Sequence, residues 1–265
     1  MPSVSSIVSS ANSSGERTIN LQNKGLKEFP VEVINVQIPH VKRLILSNNK
    51  IDCKIKVNIT QAVPDSAGLL KLIEELYLFN NRIENVSQFI SQMNSLKFLN
   101  FNMNRITDLP KGFGNFANLI ILDLSCNKLS TLRPNFFLLS NDLSFQFPAS
   151  LKALHLSDNE FESIPNEISK LKNLVTLNMR DNKISYIPKE IGDCESLREL
   201  FLQGNKIRTL PASLSKLPLD RPGGMLRLAG NSLLGGLVES LKISVSNLWD
   251  FMKSEEYEAY LAENQ

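Results

Sequence analysis

Residues 96–106 read LKFLNFNMNRI, and six further stretches of the chain repeat this order of apolar and polar positions. In each stretch, apolar residues stand at the first, fourth, sixth and eleventh positions, and an asparagine stands at the ninth. The other six copies occupy residues 41–51, 73–83, 119–129, 151–161, 174–184 and 197–207. Because one copy is too small to bury its own apolar face, the copies must stack and share a core.

The spacing of the asparagines identifies the type of repeat. Asparagines recur every 23 residues in two runs: Asn81, Asn104 and Asn127, then Asn159, Asn182 and Asn205. This length and pattern are typical of leucine-rich repeats, in which each copy supplies one short strand and a returning segment. We therefore expect an α/β fold, a leucine-rich-repeat solenoid with a curved parallel sheet on its inner face, short helices or loops outside, and a C-terminal helical cap.

Two intervals between asparagines are longer than the rest. Asn49 to Asn81 and Asn127 to Asn159 each measure 32 residues, so insertions lie within 52–71 and 133–150. Long surface loops cost little free energy, and loops also carry function. Tolerated insertions and partner-specific loops are both consistent with the sequence.

The chain divides into three predicted parts. Residues 1–15 are rich in serine, and we expect a disordered N-terminal tail. Residues 16–233 should form one leucine-rich-repeat domain of about nine repeats, with degenerate copies at its ends. Residues 234–265 should form a helical cap over the core, because their apolar residues recur at helical spacing: Leu241, Val245, Leu248, Trp249, Met252, Tyr260 and Leu261.

Composition argues against several classes of function. The formal net charge of +2 is too small to attract nucleic acid or an anionic membrane by bulk electrostatics. No apolar run approaches membrane-spanning length, and Cys53, Cys126 and Cys194 are widely separated rather than clustered as in secreted disulfide-rich proteins. We expect a cytoplasmic monomer with no membrane insertion and no nucleic-acid partner.

Alternate residues of each predicted strand should face solvent, because successive side chains of a strand point to opposite faces. Neighbouring strands lie about 4.8 Å apart, so apolar residues at these positions in adjacent repeats should form one patch. Such a patch usually marks an interaction site, and aromatic residues dominate binding hot spots. The other interpretation is that loops or the N-terminal tail cover it. The apolar outward residues of the early repeats are Ile45, Tyr77, Phe79, Phe98 and Ile121.

Further outward residues are polar, namely Asn100, Asp123, His155, Asp158 and Arg180. Two interpretations stay open for this set. It forms a rim that sets partner specificity, or it is ordinary solvated surface. Together with the apolar residues, these positions are the candidate protein-binding site.

Little in the sequence indicates catalysis. His155 with Asp158 or Asp123 is the one candidate acid–base pair, and no nucleophile accompanies it. His40 and His155 do not lie near a cysteine in the repeat phase, which disfavours a zinc site. We therefore expect no enzyme, no cofactor and no metal, with a hydrolase that uses His155 as a remote alternative.

Four stretches of the repeats are more specific than the general pattern: FNNRI at 79–83, MNRITDLPKGFG at 103–114, LKALHLSDNEF at 151–161 and IPKEIG at 187–192. In order and spacing they resemble the intracellular Ras-group leucine-rich-repeat proteins. The resemblance implies a non-enzymatic adaptor in integrin adhesion and Ras signalling, located at cell–matrix adhesions. It also implies that the concave face binds a LIM domain of the adaptor PINCH and, through PINCH, joins integrin-linked kinase and parvin. A direct regulator of a Ras-like GTPase, or a phosphatase scaffold, is the alternative.

Overall fold

The structure is a computed structural model that describes residues 2–34, 36, 38–52, 69–87, 90, 93–110, 113, 116–132 and 150–263. Most of the two predicted insertions, within 52–71 and 133–150, lies outside these residues. The chain divides into two compact units. The first unit is Met1–Lys128 with Arg133–Leu151, and the second is Leu129–Leu132 with Lys152–Gln265.

The described residues of the first unit contain five parallel strands that pair in the order of the sequence. In the same described part, two α-helices, α1 (Val4–Ser14) and α2 (Val31–Ile34), and the 3-10 helix Leu69–Lys71 lie between or before the strands. The strands are β1 (Thr18–Asn20), β2 (Arg43–Ile45), β3 (Glu75–Tyr77), β4 (Phe98–Asn100) and β5 (Ile121–Asp123).

The second unit contains four parallel strands, also paired in sequence order: β6 (Ala153–His155), β7 (Thr176–Asn178), β8 (Glu199–Phe201) and β9 (Met225–Arg227). Its return segments are the 3-10 helices Asn166–Lys170, Lys189–Asp193, Ala212–Lys216 and Pro218–Asp220. The last three elements are the helices α3 (Gly235–Ile243), α4 (Val245–Phe251) and α5 (Glu255–Glu263).

Both units have the predicted architecture, an α/β leucine-rich-repeat solenoid in which short parallel strands alternate with return segments. The middle residue of each strand is buried, as for Leu44, Leu76 and Leu99 with no measurable exposure. The paired register places these middle residues opposite one another. Each repeat therefore adds one layer to a shared apolar core.

A buried asparagine joins each repeat to the one before it. The Oδ1 of Asn104 accepts a hydrogen bond from the backbone N–H of Ile83 at 3.0 Å. Its Nδ2 donates to the carbonyls of Leu78 at 3.0 Å and Phe101 at 2.9 Å. One amide thus satisfies three backbone groups that would otherwise be buried without partners. The same arrangement recurs at Asn81, Asn127, Asn182, Asn205 and Asn231.

The residue before each of these six asparagines, and before Asn49 and Asn159, has a left-handed backbone. Glycine, asparagine and aspartate tolerate positive φ better than other residues, and they occupy most of these positions. Met103 and Cys126 are the exceptions, with φ of 55° and 54°. Both residues adopt the same turn as the other repeats. The hydrogen bonds of the buried asparagine therefore outweigh the conformational cost of a positive φ at these two residues. The full set is Asn48, Asn80, Met103, Cys126, Asp158, Asp181, Gly204 and Gly230.

The prediction of a disordered tail over residues 1–15 is wrong, because this segment forms helix α1. The side chain of Ser3 accepts a hydrogen bond from the N–H of Ser6 and so caps the helix start. Gly15, with φ of 72°, ends the helix. Val8 and Ala11 are buried, and α1 packs on β1 and α2. The helix therefore covers apolar surface at the start of the first unit.

The segment predicted as a C-terminal helical cap, residues 234–265, contains the three helices α3, α4 and α5. Five of its apolar side chains are buried, namely Leu237, Leu248, Trp249, Met252 and Tyr257. The Tyr257 hydroxyl accepts from the N–H of Leu210 and donates to its carbonyl, both at 2.8 Å. Helix α5 is thereby fixed to the last repeats. In the described part of the chain, no helix has the length and apolar character needed to span a membrane.

Replacing Asn104 with alanine should lower the free energy of unfolding by roughly 2–3 kcal/mol, because three buried backbone groups lose their partner. Urea denaturation followed by circular dichroism measures this change. The control is Asn166→Ala, since the exposed Asn166 side chain makes no described hydrogen bond. Equal stability of the two variants would contradict a structural role for the buried asparagine.

Candidate functional site

The candidate site of the first unit lies on the sheet face opposite the core. Ile45, Tyr77, Phe98 and Ile121 are half-buried, whereas the middle residues of their strands are fully buried. Phe79, which follows β3, is also half-buried. The five predicted apolar residues therefore all lie on the first unit, at outward positions of the sheet. We refer to these five residues as the aromatic patch.

Two rings form the centre of the aromatic patch. The centroids of Tyr77 and Phe98 are 4.8 Å apart, with the planes tilted by 34°. The strand register explains this contact, because Glu75 is opposite Phe98 and Tyr77 is opposite Asn100. Tyr77 and Phe98 are thus diagonal neighbours, within reach for aromatic side chains. Each ring shields part of the other, which is why neither is as exposed as an isolated outward side chain.

Charged neighbours fix the orientation of Tyr77. The Nε and Nη2 atoms of Arg43 donate to the two carboxylate oxygens of Glu75 at 2.6 and 2.9 Å. The Tyr77 hydroxyl donates to Glu75 Oε2 at 2.9 Å. A bidentate pair of this kind has a defined geometry as well as a favourable energy. The ring of Tyr77 is therefore held at both ends, by Phe98 at its face and by Glu75 at its hydroxyl.

The ionisation of this cluster follows from the same contacts. Hydrogen bonding from Arg43 is the main cause that lowers the pKa of Glu75, and the bond from Tyr77 lowers it further. The carboxylate of Glu75 in turn raises the pKa of Arg43. Burial, followed by hydrogen bonding to Glu75, raises the pKa of Tyr77. At neutral pH, Glu75 is charged and Tyr77 is protonated, so the phenol remains a donor.

The sequence prediction did not include Arg43 and Glu75 as site residues. Their signal was present, since opposite charges stood at the same outward position of adjacent predicted strands. The structure confirms that they are opposite each other in the β2–β3 register. Cross-strand pairs of this kind stabilise a sheet and orient neighbouring side chains.

Asn100 and Asp123 form the polar side of the same face. They are opposite each other in the β4–β5 register. Asn100 Oδ1 accepts from the N–H of Asn102 at 2.8 Å, and Asp123 Oδ1 accepts from the N–H of Ser125 at 2.9 Å. Asn102 Nδ2 lies 3.5 Å from Asp123 Oδ2. Both side chains are thus anchored to the turns that follow their strands, which makes them rigid elements of the surface.

The three other predicted site residues, His155, Asp158 and Arg180, lie on the second unit. Arg180 Nη2 is 3.6 Å from Asp158 Oδ2, and Arg180 Nε is 3.6 Å from Asp181 Oδ2. Within the described residues, no hydrogen bond joins His155 to Asp158. Since the carboxylate of Asp158 interacts with Arg180, the predicted acid–base pair is not formed with Asp158. These residues make up a polar surface of the second unit.

A second polar pair on this unit was also absent from the prediction. The hydroxyl of Thr176 donates to Glu199 Oε2 at 2.7 Å, and the two residues are opposite each other in the β7–β8 register. As with Arg43 and Glu75, the pair could have been predicted from the sequence, because complementary side chains stand at the same outward position of adjacent strands. Pairs of this type hold outward carboxylates in fixed positions.

No described side chains assemble a metal site, since no group of three or more histidine, cysteine, aspartate or glutamate residues suitable for a metal ion occurs among them. Cys194 is buried, and its thiol donates to the carbonyl of Ile168 at 3.3 Å. Burial raises the pKa of Cys194 to about 12. This thiol therefore stays protonated and packs as a core residue.

Comparison with protein families identifies the repeats independently. Residues 149–207 match a leucine rich repeat model, residues 71–112 match a model of two leucine rich repeats, and residues 118–139 match a further leucine rich repeat model. The chain is built from leucine-rich repeats. This architecture indicates a role in protein–protein interaction, because stacked repeats present an extended binding surface.

Similar proteins include a probable serine/threonine-protein kinase, pats1, of Dictyostelium discoideum, 31% identical over 148 residues. That match covers 53% of this chain and 4% of the kinase. Osteomodulin of Bos taurus is 29% identical over 159 residues, with 59% of this chain and 33% of osteomodulin covered. Human prolargin is 31% identical over 108 residues, which cover 36% of this chain and 28% of prolargin. The chain thus spans at most a third of these relatives.

Solved structures show the same fold. A leucine-rich-repeat protein of Leptospira interrogans superposes with a TM-score of 0.56 at 25% identity, over 86% of this chain and 64% of the other. The TDR receptor superposes with a TM-score of 0.60 at 21% identity, over 85% of this chain and 41% of the receptor. These structures support the fold of the chain.

Replacing Arg43 with methionine should raise the pKa of Glu75, because the main cause of its lowering is removed. Carboxyl-detected NMR titration measures this value, which should lie below the ordinary 4.5 in the unsubstituted chain. Since the folded-state pKa is lowered, the cluster stabilises the fold above pH 4.5, and this stabilisation is lost as the pH falls through the folded-state value.

The matched control for this titration is Lys97→Met. Lys97 Nζ lies 2.7 Å from Glu74 Oε2 and is the main cause that lowers the pKa of Glu74. The control should therefore move the titration of Glu74 and leave that of Glu75 in place. If Arg43→Met leaves Glu75 unchanged, the cluster described for the aromatic patch does not exist in solution.

Proposed function

We propose that this chain is a non-enzymatic protein-binding adaptor and that the aromatic patch is the centre of its partner interface. The observation that carries the proposal is the ring contact between Tyr77 and Phe98, with Tyr77 fixed by Glu75. A rigid aromatic pair on a sheet face loses little side-chain entropy on binding. It also offers apolar surface at the centre of the proposed interface, and binding hot spots usually lie near the centre.

The residues around Tyr77 and Phe98 also fit a protein–protein interface. Ile45 and Ile121 extend the apolar area on the flanking strands β2 and β5. Asn100 and Asp123 supply anchored polar groups beside it. An apolar centre with a polar edge is the usual anatomy of a protein–protein interface.

The specific partner that we propose comes from the resemblance of the repeats to Ras-group proteins of the Ras suppressor type. On this proposal, the face that carries the aromatic patch binds a LIM domain of the adaptor PINCH. Through PINCH, the chain joins integrin-linked kinase and parvin at cell–matrix adhesions and acts in Ras signalling. The aromatic patch is apolar, and the adjacent charges of Arg43 and Glu75 neutralise each other, which supports recognition of a folded domain.

A direct regulator of a Ras-like GTPase, or a phosphatase scaffold, is the alternative within the binding class, and it would use the same face. The remote enzymatic alternative, a hydrolase with His155, has less support. The nearby carboxylate of Asp158 interacts with Arg180, and a general base needs an oriented partner and a nucleophile or substrate within reach.

Calorimetric titration tests the proposal with two probes, an isolated PINCH LIM domain and GTP-loaded Ras. We expect the LIM domain to bind, and both Tyr77→Ala and Phe98→Ala to weaken that binding by about 2 kcal/mol or more, as for hot-spot aromatics. Tyr77→Phe keeps the ring and removes the hydroxyl, so it should weaken binding less.

The control for these variants is Tyr186→Ala, which removes an exposed aromatic side chain from the second unit. It should leave the affinity unchanged. Binding of Ras but not of the LIM domain would support the GTPase-regulator alternative. If Tyr77→Ala and Phe98→Ala bind every partner as tightly as the unsubstituted chain does, the aromatic patch is not the interface.

A further inference from the structure

A pocket of about 340 Å³ lies among the three C-terminal helices of the second unit. It is bounded by the start of α3, the last residue of α4 and the middle of α5. Its size falls in the range of ligand-binding pockets, which begins near 300 Å³. Most of its lining is apolar or aromatic, from Leu234, Phe251, Tyr257, Ala259 and Tyr260.

The walls of the pocket are fixed by buried contacts. The ring of Tyr257 lies 5.6 Å from that of Phe251, and its hydroxyl is hydrogen-bonded to both backbone groups of Leu210. Burial raises the pKa of Tyr257, so the phenol stays protonated and keeps its donor role. Gly236 packs so closely on Phe251 that no side chain fits between them. The pocket is therefore part of the folded helices.

One acidic side chain lines the pocket, and three others are exposed near it in the sequence. Glu256 contributes to the lining, and Asp250, Glu255 and Glu258 are exposed close to it in sequence. Lys253 is the one cation between Asp250 and Glu258, and no ion pair to these carboxylates is found among the described residues. The glutamates also favour the first turn of α5. Their excess of negative charge attracts a basic partner.

We propose that this pocket is a second docking site, which takes one bulky apolar side chain from a partner protein segment that carries lysine or arginine beside it. The apolar lining accepts the anchor side chain, and Glu256 at the edge pairs with the neighbouring cation. The site lies on the second unit, whereas the aromatic patch lies on the first. It therefore adds a partner to the adaptor and does not depend on the partner of the aromatic patch.

The chain offers two matched pairs of variants. Ala259 and Ala262 are both exposed on α5, but only Ala259 lines the pocket. Ala259→Leu should fill the pocket, and Ala262→Leu adds the same side chain elsewhere on the helix. Glu256→Gln and Glu258→Gln remove the same charge, the first from a residue that lines the pocket and the second from one that does not. Circular dichroism and thermal unfolding establish that all four variants are folded.

The experiment selects binders from a random peptide library on the whole chain and measures their affinity by fluorescence anisotropy. We expect selected peptides to combine an aromatic or branched apolar residue with adjacent lysine or arginine. Ala259→Leu should weaken their binding about tenfold or more, and Glu256→Gln severalfold, with a smaller loss at high salt. Ala262→Leu should bind nearly as the unsubstituted chain does, and Glu258→Gln should weaken binding less than Glu256→Gln. Tyr77→Ala should have no effect, which separates this site from the aromatic patch.

Several results would overturn the proposal. One is the selection of acidic or uncharged apolar peptides, or of no peptides at all. Another is equal binding by Ala259→Leu and Ala262→Leu. A third is self-association of the chain in sedimentation experiments that Ala259→Leu abolishes, because the pocket would then hold a second copy of the chain.

Discussion

The buried asparagine of each repeat is the interaction on which the structure depends. One side-chain amide hydrogen-bonds to backbone groups of its own repeat and of the preceding one, as Asn104 does with Phe101, Leu78 and Ile83. It therefore sets the offset between successive repeats as well as the turn that follows each strand. The apolar core alone would permit sliding between layers, since burial has no preferred direction. The asparagines remove that freedom together with the backbone hydrogen bonds between repeats, such as that from the N–H of Leu78 to the carbonyl of Asn100 at 2.8 Å.

A fixed offset between repeats determines which outward side chains meet. With β3 and β4 in register, Tyr77 and Phe98 become diagonal neighbours, and with β2 and β3 in register, Arg43 is opposite Glu75. The contacts of the aromatic patch thus depend on hydrogen bonds within the sheet and in the turns that follow its strands. Such an arrangement suits a binding module, because residues on the outward face can vary without loss of the fold.

The sequence predicted those features that recur with the repeat. Strands, core positions and outward positions all follow from one period, so the five residues of the aromatic patch could be identified before the structure. Features that occur once were missed. The cap of Ser3 and the burial of Val8 gave residues 4–14 a helix where a serine-rich composition indicated disorder. Likewise, the hydrogen bonds of Glu75 with Arg43 and Tyr77 depend on side-chain rotamers that no repeat pattern specifies.

Hydrogen exchange of the backbone N–H groups that donate to the buried asparagines tests the central claim most directly. The N–H groups of Ile83, Ile106 and Ile184 donate to the side chains of the following repeats' asparagines. If these bonds hold the repeats together, these amides exchange only when the protein unfolds globally, orders of magnitude more slowly than the amide of Gly223 in an exposed turn. Exchange of the three isoleucine amides as fast as that of Gly223, under conditions where the strands stay protected, would contradict the account.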